Sequence, residues 1–131
     1  MPEDTDSATI YVVEHDKAVR DGLRALLSQL NAQIQVYDQA KDLLSLQRTS
    51  GPACLVTELF LPDMSGLELL KRLRKSGDDI PAIVLAIQSD VPTAVEAMRL
   101  GAIDFIEKPF VEHVLLERVR EALRSQEVIH A

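Results

Sequence analysis

The sequence lacks features that several classes of protein require. It contains one cysteine, Cys54, so no internal disulfide can form. Because Cys54 lies in the apolar run ACLV, we interpret it as a small buried hydrophobic residue and not as a nucleophile. No apolar stretch approaches the ~20 residues that a membrane-spanning helix needs, and the acidic start MPEDTDS is unlike a signal peptide. These absences predict a cytoplasmic protein in a reducing compartment.

Positive charge is also scarce. The 131 residues include 14 Lys and Arg against 21 Asp and Glu, which gives a formal net charge of −7. Phosphate contacts need clustered Lys and Arg, so this balance argues against direct nucleic-acid binding by the chain. The sequence also has no phosphate-cradling glycine loop, no nucleophile–base pair and no Cys/His ligand spacing. It therefore does not predict an enzyme.

What the sequence does have is apolar material, 47% of its residues, in a regular alternation that suits one domain. Short apolar or alternating runs predict strands at 9–14, 32–38, 53–58, 80–86 and 102–108. Amphipathic runs predict helices at 17–30, 40–48, 65–77, 91–101 and 111–127. This order predicts an α/β fold, (βα)5, with a doubly wound five-stranded parallel sheet covered by helices on both faces. We expect residues 1–8 to be a flexible acidic tail, 9–124 the domain, and 125–131 a tail or the start of a linker.

Local signals refine this outline. Asp16 is placed to cap the first helix and Asp90 the fourth, and Asp63 is interpreted as a turn residue with local backbone bonding. In the third helix, the residues predicted to face inward are Leu67, Leu70 and Leu73. The leucine-rich stripe 115–123 is interpreted mainly as a core-facing side of the last helix, and an interaction surface is the secondary interpretation.

Charged side chains follow three of the predicted strands. Glu14, His15 and Asp16 follow the first strand, Glu58 ends the third, and Lys108 ends the fifth. Ligand chemistry in open α/β sheets gathers at the carboxyl ends of the strands, so these residues form the candidate site. A carboxylate at the end of an apolar strand is costly unless it is paired. Glu58 is therefore either a solvated surface residue or the partner of Lys108 in a partly buried ion pair.

Long stretches of the sequence resemble a known family. YVVEHDKAVRDGL, LVTELFLPDMSGLELLKRLR and IPAIVLAIQSDVPTAVEAMRLGAIDFIEKPF resemble the receiver domain of two-component response regulators, over about residues 9–124. The resemblance implies the flavodoxin-like receiver fold. The stretch DVPTAVEAMRLGAIDFIEKPF is most similar to the subgroup whose receivers precede a helix-turn-helix DNA-binding domain.

The resemblance also implies a chemistry. In this family a kinase histidine transfers a phosphoryl group to an aspartate that ends the third strand, and Mg²⁺ is held by two acidic residues after the first strand. A Thr or Ser hydroxyl after the fourth strand and a lysine after the fifth bind the remaining phosphoryl oxygens. The hydroxyl moves inward on phosphorylation, and an aromatic residue on the fifth strand follows it.

Carried over by position, the site departs from this pattern at three strand ends. The acceptor position holds Glu58, the acidic pair is Glu14-His15, and the hydroxyl position holds Ala86. Reaction geometry tolerates little misplacement, Mg²⁺ prefers oxygen ligands, and alanine offers no hydrogen bond. We therefore predict that Glu58 is not efficiently phosphorylated, that Mg²⁺ binding is weak or absent, and that no metal is bound.

Three features of the pattern remain. Lys108 matches the family's lysine, Pro109 follows it as a candidate cis-proline, and Phe105 matches the aromatic switch residue. The carboxylate of Glu58 would mimic a phosphoaspartate only in part, since it has one charge and two oxygens. Without a hydroxyl at Ala86, a fixed conformation is expected in place of a switch.

Two interpretations of the first strand's end stay open. With Glu14 and Glu58, His15 would complete a set suited to Zn²⁺ or Fe²⁺, whereas a lone loop histidine is more often solvated. Asp16 is either a helix cap or a site residue. His113 and His130 are interpreted as ordinary surface residues.

Three hypotheses follow. The first is a receiver-like signalling module with a degenerate phosphorylation site, acting through protein contacts at its fourth helix, fifth strand and fifth helix. The second is a conventional Mg²⁺-dependent phosphoacceptor that uses Glu58 or Asp16, and the third is a small transition-metal enzyme. Expected partners are proteins: a sensor kinase, an attached output domain or a second copy in a homodimer, with no nucleic acid and no membrane. Whether the natural chain continues past Ala131 into a DNA-binding domain, as receivers of the resembled subgroup do, stays open.

Overall fold

A single parallel sheet organises the chain. The computed structural model describes residues 8–46, 48 and 50–130, with side chains as far as residue 126. Its five strands are Thr9–Val13 (β1), Gln33–Tyr37 (β2), Ala53–Glu58 (β3), Ala82–Ala86 (β4) and Ala102–Glu107 (β5). They lie in the order β2-β1-β3-β4-β5, and every neighbouring pair is parallel. The predicted doubly wound α/β architecture is confirmed.

Five α-helices connect and flank the strands. They are Lys17–Leu27 (α1), Ala40–Leu44 (α2), Gly66–Lys75 (α3), Val91–Arg99 (α4) and Glu112–His130 (α5). α1 is shorter than predicted because a 3₁₀ turn, Ser28–Leu30, follows it and ends at Asn31, which has a left-handed backbone with φ 54°. α5 runs past the predicted end at residue 127. Among the described residues, no helix combines the length and the apolar character that crossing a bilayer requires.

The helices cover both faces of the sheet with separate apolar clusters. One cluster packs α2, α3 and α4 against inward residues such as Tyr11 and Leu55. The other packs α1 and α5 against their strand neighbours Ile10 and Val56. Because consecutive strand residues point to opposite faces and both faces are covered, every position of β1, β3 and β4 is buried. This explains why those strands read as nearly continuous apolar runs.

Some boundary predictions need correction. In α3, Leu67 packs against the core as predicted but is only half-buried, whereas Leu69, which was not predicted, is fully buried beside Leu70. Ala8 was assigned to the tail, but it is fully buried and its carbonyl accepts a hydrogen bond from the Gln33 N–H at 3.0 Å. The rest of the predicted tail, residues 1–7, lies outside the described residues. A linker role for 125–131 stays a prediction.

The strand order determines where the site lies. The connections reverse direction between β1 and β3, and open α/β sheets bind ligands in the crevice at the carboxyl ends beside such a reversal. Glu58 is the last residue of β3, and Glu14 comes directly after β1. The fold therefore places both carboxylates at the expected position.

Candidate functional site

A buried cluster of three charged residues lies at the carboxyl edge of the sheet. The side chains of Glu14 and Glu58 are 2% and 4% exposed, and that of Lys108 is 15% exposed. The Lys108 ammonium donates to Glu14 Oε1 at 2.9 Å and also to Glu58 Oε1. We call these three residues the acid pocket. The ion pair of Glu58 with Lys108 is present as predicted, the surface interpretation of Glu58 is wrong, and Glu14 is an additional partner.

The second oxygen of each carboxylate is also bonded. Glu58 Oε2 accepts a hydrogen bond from the backbone N–H of Phe60 at 3.2 Å. Glu14 Oε2 accepts one from the backbone N–H of Asp16 at 3.1 Å. All four carboxylate oxygens of the acid pocket therefore have a donor within the protein. This compensates the desolvation of the two carboxylates, which would be large if they were unpaired.

The electrostatics of Lys108 follow from the same contacts. Burial alone would lower the pKa of its ammonium, but the hydrogen bonds to Glu58 and Glu14 outweigh burial and the pKa lies above its ordinary value. Lys108 therefore stays charged at neutral pH. Since two carboxylate side chains share this one ammonium, the acid pocket has a formal excess of negative charge.

His15 and Asp16 lie outside this cluster. The His15 side chain is 53% exposed, and its Nδ1 is 3.7 Å from Glu14 Oε2. Asp16 caps α1, since its side chain accepts a hydrogen bond from the Val19 N–H at 3.1 Å. Within the part of the chain that the structure describes, no three His, Cys, Asp or Glu side chains are grouped as a metal would require. The geometry does not bring Glu14, His15 and Glu58 together as a ligand set.

The other predicted site residues lie around the pocket. Ala86 is fully buried at the end of β4, and its carbonyl accepts the Lys108 N–H at 2.7 Å. Phe105 is half-buried and packs against the cluster formed by α2, α3 and α4. The Lys108–Pro109 peptide bond is cis. His113 is exposed on α5, and the His130 side chain lies outside the described residues.

Sequence reasoning missed Arg20. Its guanidinium Nη1 donates to the carbonyl of Glu14 at 2.9 Å and to that of His15 at 3.3 Å. It thereby fixes the backbone that carries Glu14. Arg20 lies four residues after the cap Asp16, on the first turn of α1, and this spacing is the only signal that could have indicated it.

Asp63 has a different role from the predicted one. Its carboxylate accepts hydrogen bonds from the backbone N–H groups of Ala40 at 3.1 Å and Lys41 at 2.8 Å. Asp63 thus caps α2 from the loop after β3. The residue at the cap position of that helix, Gln39, makes no side-chain cap bond. Asp63 lies in a bend as predicted and its own backbone N–H helps to lower the pKa of its carboxyl, but the two partners from α2 are distant in sequence and were not predicted.

Comparison with known proteins decides the family. The model of the response regulator receiver domain matches residues 10–120. The chain belongs to this family. It is a receiver domain of the two-component response regulators, whose role is phosphorelay signalling, and the resemblance found in the sequence is confirmed. The receiver family is a family of signalling modules.

Curated relatives and solved structures agree with this assignment. The chain is 37% identical over 123 residues to the transcriptional regulatory protein FixJ of Bradyrhizobium diazoefficiens, covering 94% of this chain and 60% of that protein. It is 34% identical over 118 residues to the response regulator protein TodT of Pseudomonas putida, covering 90% and 52%. The receiver protein structure from Pseudoalteromonas atlantica superposes with a TM-score of 0.82 at 44% identity, covering 89% and 98%. The chain thus spans little more than half of these two curated relatives.

Proposed function

We propose that this receiver signals without phosphorylation of Glu58, through contacts with other proteins. The observation that carries the proposal is the bonding of the acid pocket. Both oxygens of Glu58 already accept hydrogen bonds, from Lys108 and from the Phe60 N–H. In-line attack on a phosphoryl donor depends on the direction of the attacking oxygen, and these two bonds fix the direction of the Glu58 carboxylate.

The residues do not fit the magnesium ion that the family uses. Mg²⁺ requires near-octahedral oxygen ligands at short distances. The position of one acidic ligand holds His15, which offers nitrogen and points largely to solvent. The other carboxylate, Glu14, is bonded to Lys108 and to the Asp16 N–H. The Lys108 ammonium, which the family also has at this position, contacts both carboxylates.

The groups that would hold a transferred phosphoryl are also altered. Glutamate is longer than aspartate by one methylene, about 1.5 Å, and a misplacement near 1 Å can cost on the order of 100-fold in rate. Ala86 has no hydroxyl to donate to a phosphoryl oxygen or to move inward. With Glu58 fixed on Lys108, we expect one conformation in place of a switch.

The expected contact surface is the face formed by α4, β5 and α5. Val91, Val95 and Met98 are exposed at helical spacing on α4. Ile103 is exposed on the edge strand β5 of the same face. Exposed apolar side chains in such an arrangement favour a protein partner. We propose an attached DNA-binding output domain as that partner, because FixJ is described as a transcriptional regulator and is longer than this chain.

Incubation with acetyl phosphate and Mg²⁺, followed by intact-mass measurement, tests the proposal. The wild-type chain is expected to gain no phosphoryl group. The matched control is the combined variant His15→Asp, Glu58→Asp and Ala86→Thr, which restores the family's groups at all three positions. This variant is expected to gain one phosphoryl group, which shows that the assay works on this fold.

Stable modification of the wild-type chain would overturn the proposal. Peptide mapping would then distinguish Glu58 from Asp16 as the acceptor. Asp16 is the weaker candidate, because its carboxylate already caps α1.

A further inference from the structure

A groove of about 780 Å³ lies between the loop after β3 and the start of α4. It adjoins the acid pocket, since its lining includes the chain neighbours of Glu58 and Lys108. We call it the acidic groove and define it by six of its lining residues: Phe60, Leu67, Ser89, Asp90, Thr93 and Glu107. The loop after β3 and the first turn of α3 supply its apolar side chains, and the start of α4 with the end of β5 supplies its carboxylates.

The aromatic ring of the groove is exposed on an ordered loop. Phe60 is 58% exposed, yet its backbone N–H donates to Glu58 Oε2 and it forms an antiparallel bridge with Ser65. Gly66 packs so closely that a Cβ there would lie 2.6 Å from the carbonyl oxygen of Glu58. A large apolar side chain held in place without an apolar cover is the kind of anchor on which protein interfaces depend, since little conformational entropy is lost when a partner covers it.

The charge of the groove has one sign. Among the described residues that line it, the charged ones are Asp90 and Glu107, both acidic. Lys108 follows Glu107 in the chain, but its ammonium is bonded inside the acid pocket. Hydrogen bonds from Thr93 hold the pKa of the Asp90 carboxyl below its usual value, so this carboxylate is ionised at neutral pH. The groove therefore repels anionic ligands and attracts cationic ones.

We propose that the acidic groove binds an extended segment of a partner protein in which Arg or Lys alternates with large apolar side chains. Successive side chains of an extended segment point to opposite sides. Apolar side chains on one side would then cover Phe60 and Leu67, and cations on the other would meet Asp90 and Glu107. The groove lies beside the face of α4, β5 and α5 and shares the start of α4 and the end of β5 with it, but its lining does not include Val95, Met98 or Ile103 of that face.

Nuclear magnetic resonance titration of the ¹⁵N-labelled chain tests this proposal. The probe is the synthetic peptide acetyl-Leu-Arg-Leu-Arg-Leu-amide, and its matched control is acetyl-Leu-Glu-Leu-Glu-Leu-amide. The arginine peptide is expected to cause saturable shifts of the amide signals of Phe60, Ser65, Ser89, Thr93 and Glu107. The glutamate peptide is expected to bind at least about tenfold more weakly, because its charges face the two carboxylates.

Two variants separate the apolar and ionic contributions. Phe60→Ala is expected to lower the affinity for the arginine peptide by about fivefold or more, since it removes the apolar area that the peptide covers. Glu107→Gln is expected to lower this affinity by a few-fold and to make it depend less on salt concentration. The controls are Met98→Ala, an exposed apolar truncation on α4 outside the groove, and Glu96→Gln, a charge removal on the same helix. Both controls should bind like the wild type.

The proposal is overturned if the arginine peptide causes no saturable shifts at the groove in the millimolar range. It is equally overturned if both peptides bind alike, or if the control variants lose as much affinity as the groove variants. Should Phe60→Ala disturb the amide spectrum as a whole, Glu107→Gln alone decides, because Glu107 is exposed at the end of β5.

Discussion

At the scale of single residues, Lys108 connects the two buried carboxylates of the acid pocket. Its ammonium bonds to Glu14 and to Glu58 and is itself largely buried. A buried ion pair adds little net stability compared with apolar residues of the same shape, but removal of one partner leaves an uncompensated buried charge. Lys108 compensates two such charges at once.

Replacement of Lys108 should therefore be costly. Lys108→Met is expected to lower the free energy of unfolding by about 3–5 kcal/mol, because it leaves two buried carboxylates without their cation. Urea unfolding followed by circular dichroism at neutral pH measures this. The control is Lys17→Met, which breaks an exposed pair with Asp21 and should have a several-fold smaller effect. A loss in Lys108→Met no larger than in the control would contradict the account.

The pH dependence of this loss has a defined sign. The pKa of Lys108 is raised in the folded chain, so its stabilisation is fully present below the ordinary lysine pKa of about 10.4. The stabilisation is lost as the pH rises through the raised value. The difference in unfolding free energy between wild type and Lys108→Met should therefore be constant from neutral pH to about pH 10 and shrink above it.

The acid pocket shows what sequence reasoning can find in a site. The pairing of Glu58 with Lys108 could be predicted, since parallel strands end at one edge and a buried carboxylate needs a cation. The bond between Glu14 and Lys108 could not be predicted, because the sequence does not show how the backbone after β1 is oriented. In the structure Arg20 fixes this backbone through the carbonyl of Glu14. The bond from the Phe60 N–H to Glu58 depends on the shape of the loop, which no periodicity encodes.

At the scale of elements, α2 depends on a residue from another loop. It has five residues and no side-chain cap of its own, and so short a helix is marginal without help from its surroundings. Asp63 supplies that help by accepting the N–H groups of Ala40 and Lys41. Desolvation alone would raise the pKa of the Asp63 carboxyl, but these two hydrogen bonds outweigh it and hold the pKa below its usual value.

Asp63→Ala is expected to reduce the stability of the chain by as much as the loss of a helix cap does. The expected decrease in unfolding free energy is about 0.5–2 kcal/mol at neutral pH. Because the pKa is lowered, the contribution of Asp63 is present above the ordinary carboxyl pKa of about 4 and is lost as the pH falls through the lowered value. Urea unfolding at neutral and acid pH, with the exposed Asp38→Ala as control, checks both statements. A decrease in Asp63→Ala that persists unchanged in acid would contradict the assigned cap.

The elements themselves could be predicted where the pattern is strong. The strands β1, β3 and β4 are continuous apolar runs, and the caps Asp16 and Asp90 were found because the capping residue lies directly before its helix. The cap at the start of α2 was missed, since it comes from a residue 22 or 23 positions away. The burial of Leu69 in α3 was missed, because a leucine-rich helix offers two neighbouring apolar faces.

At the scale of the whole molecule, the chain has the scaffold of a receiver domain. The sheet and both apolar clusters follow from the order of strands and helices, whereas the family was found from the resemblance of particular stretches and is confirmed by the matching family model. Function is less determined by these features, since a fold can support many functions. The proposal that this receiver signals without phosphorylation rests on the three strand ends that hold Glu58, His15 and Ala86.

The central claim of the proposed function is that Glu58, bonded to Lys108, takes up neither Mg²⁺ nor a phosphoryl group. The most direct measurement is a crystal structure of the chain soaked with Mg²⁺ and beryllium fluoride, which imitates a phosphoryl group. The account predicts that neither binds beside Glu58 and that the ammonium of Lys108 remains on both Glu14 and Glu58. A structure with the metal and the fluoride both bound at Glu58 would contradict it.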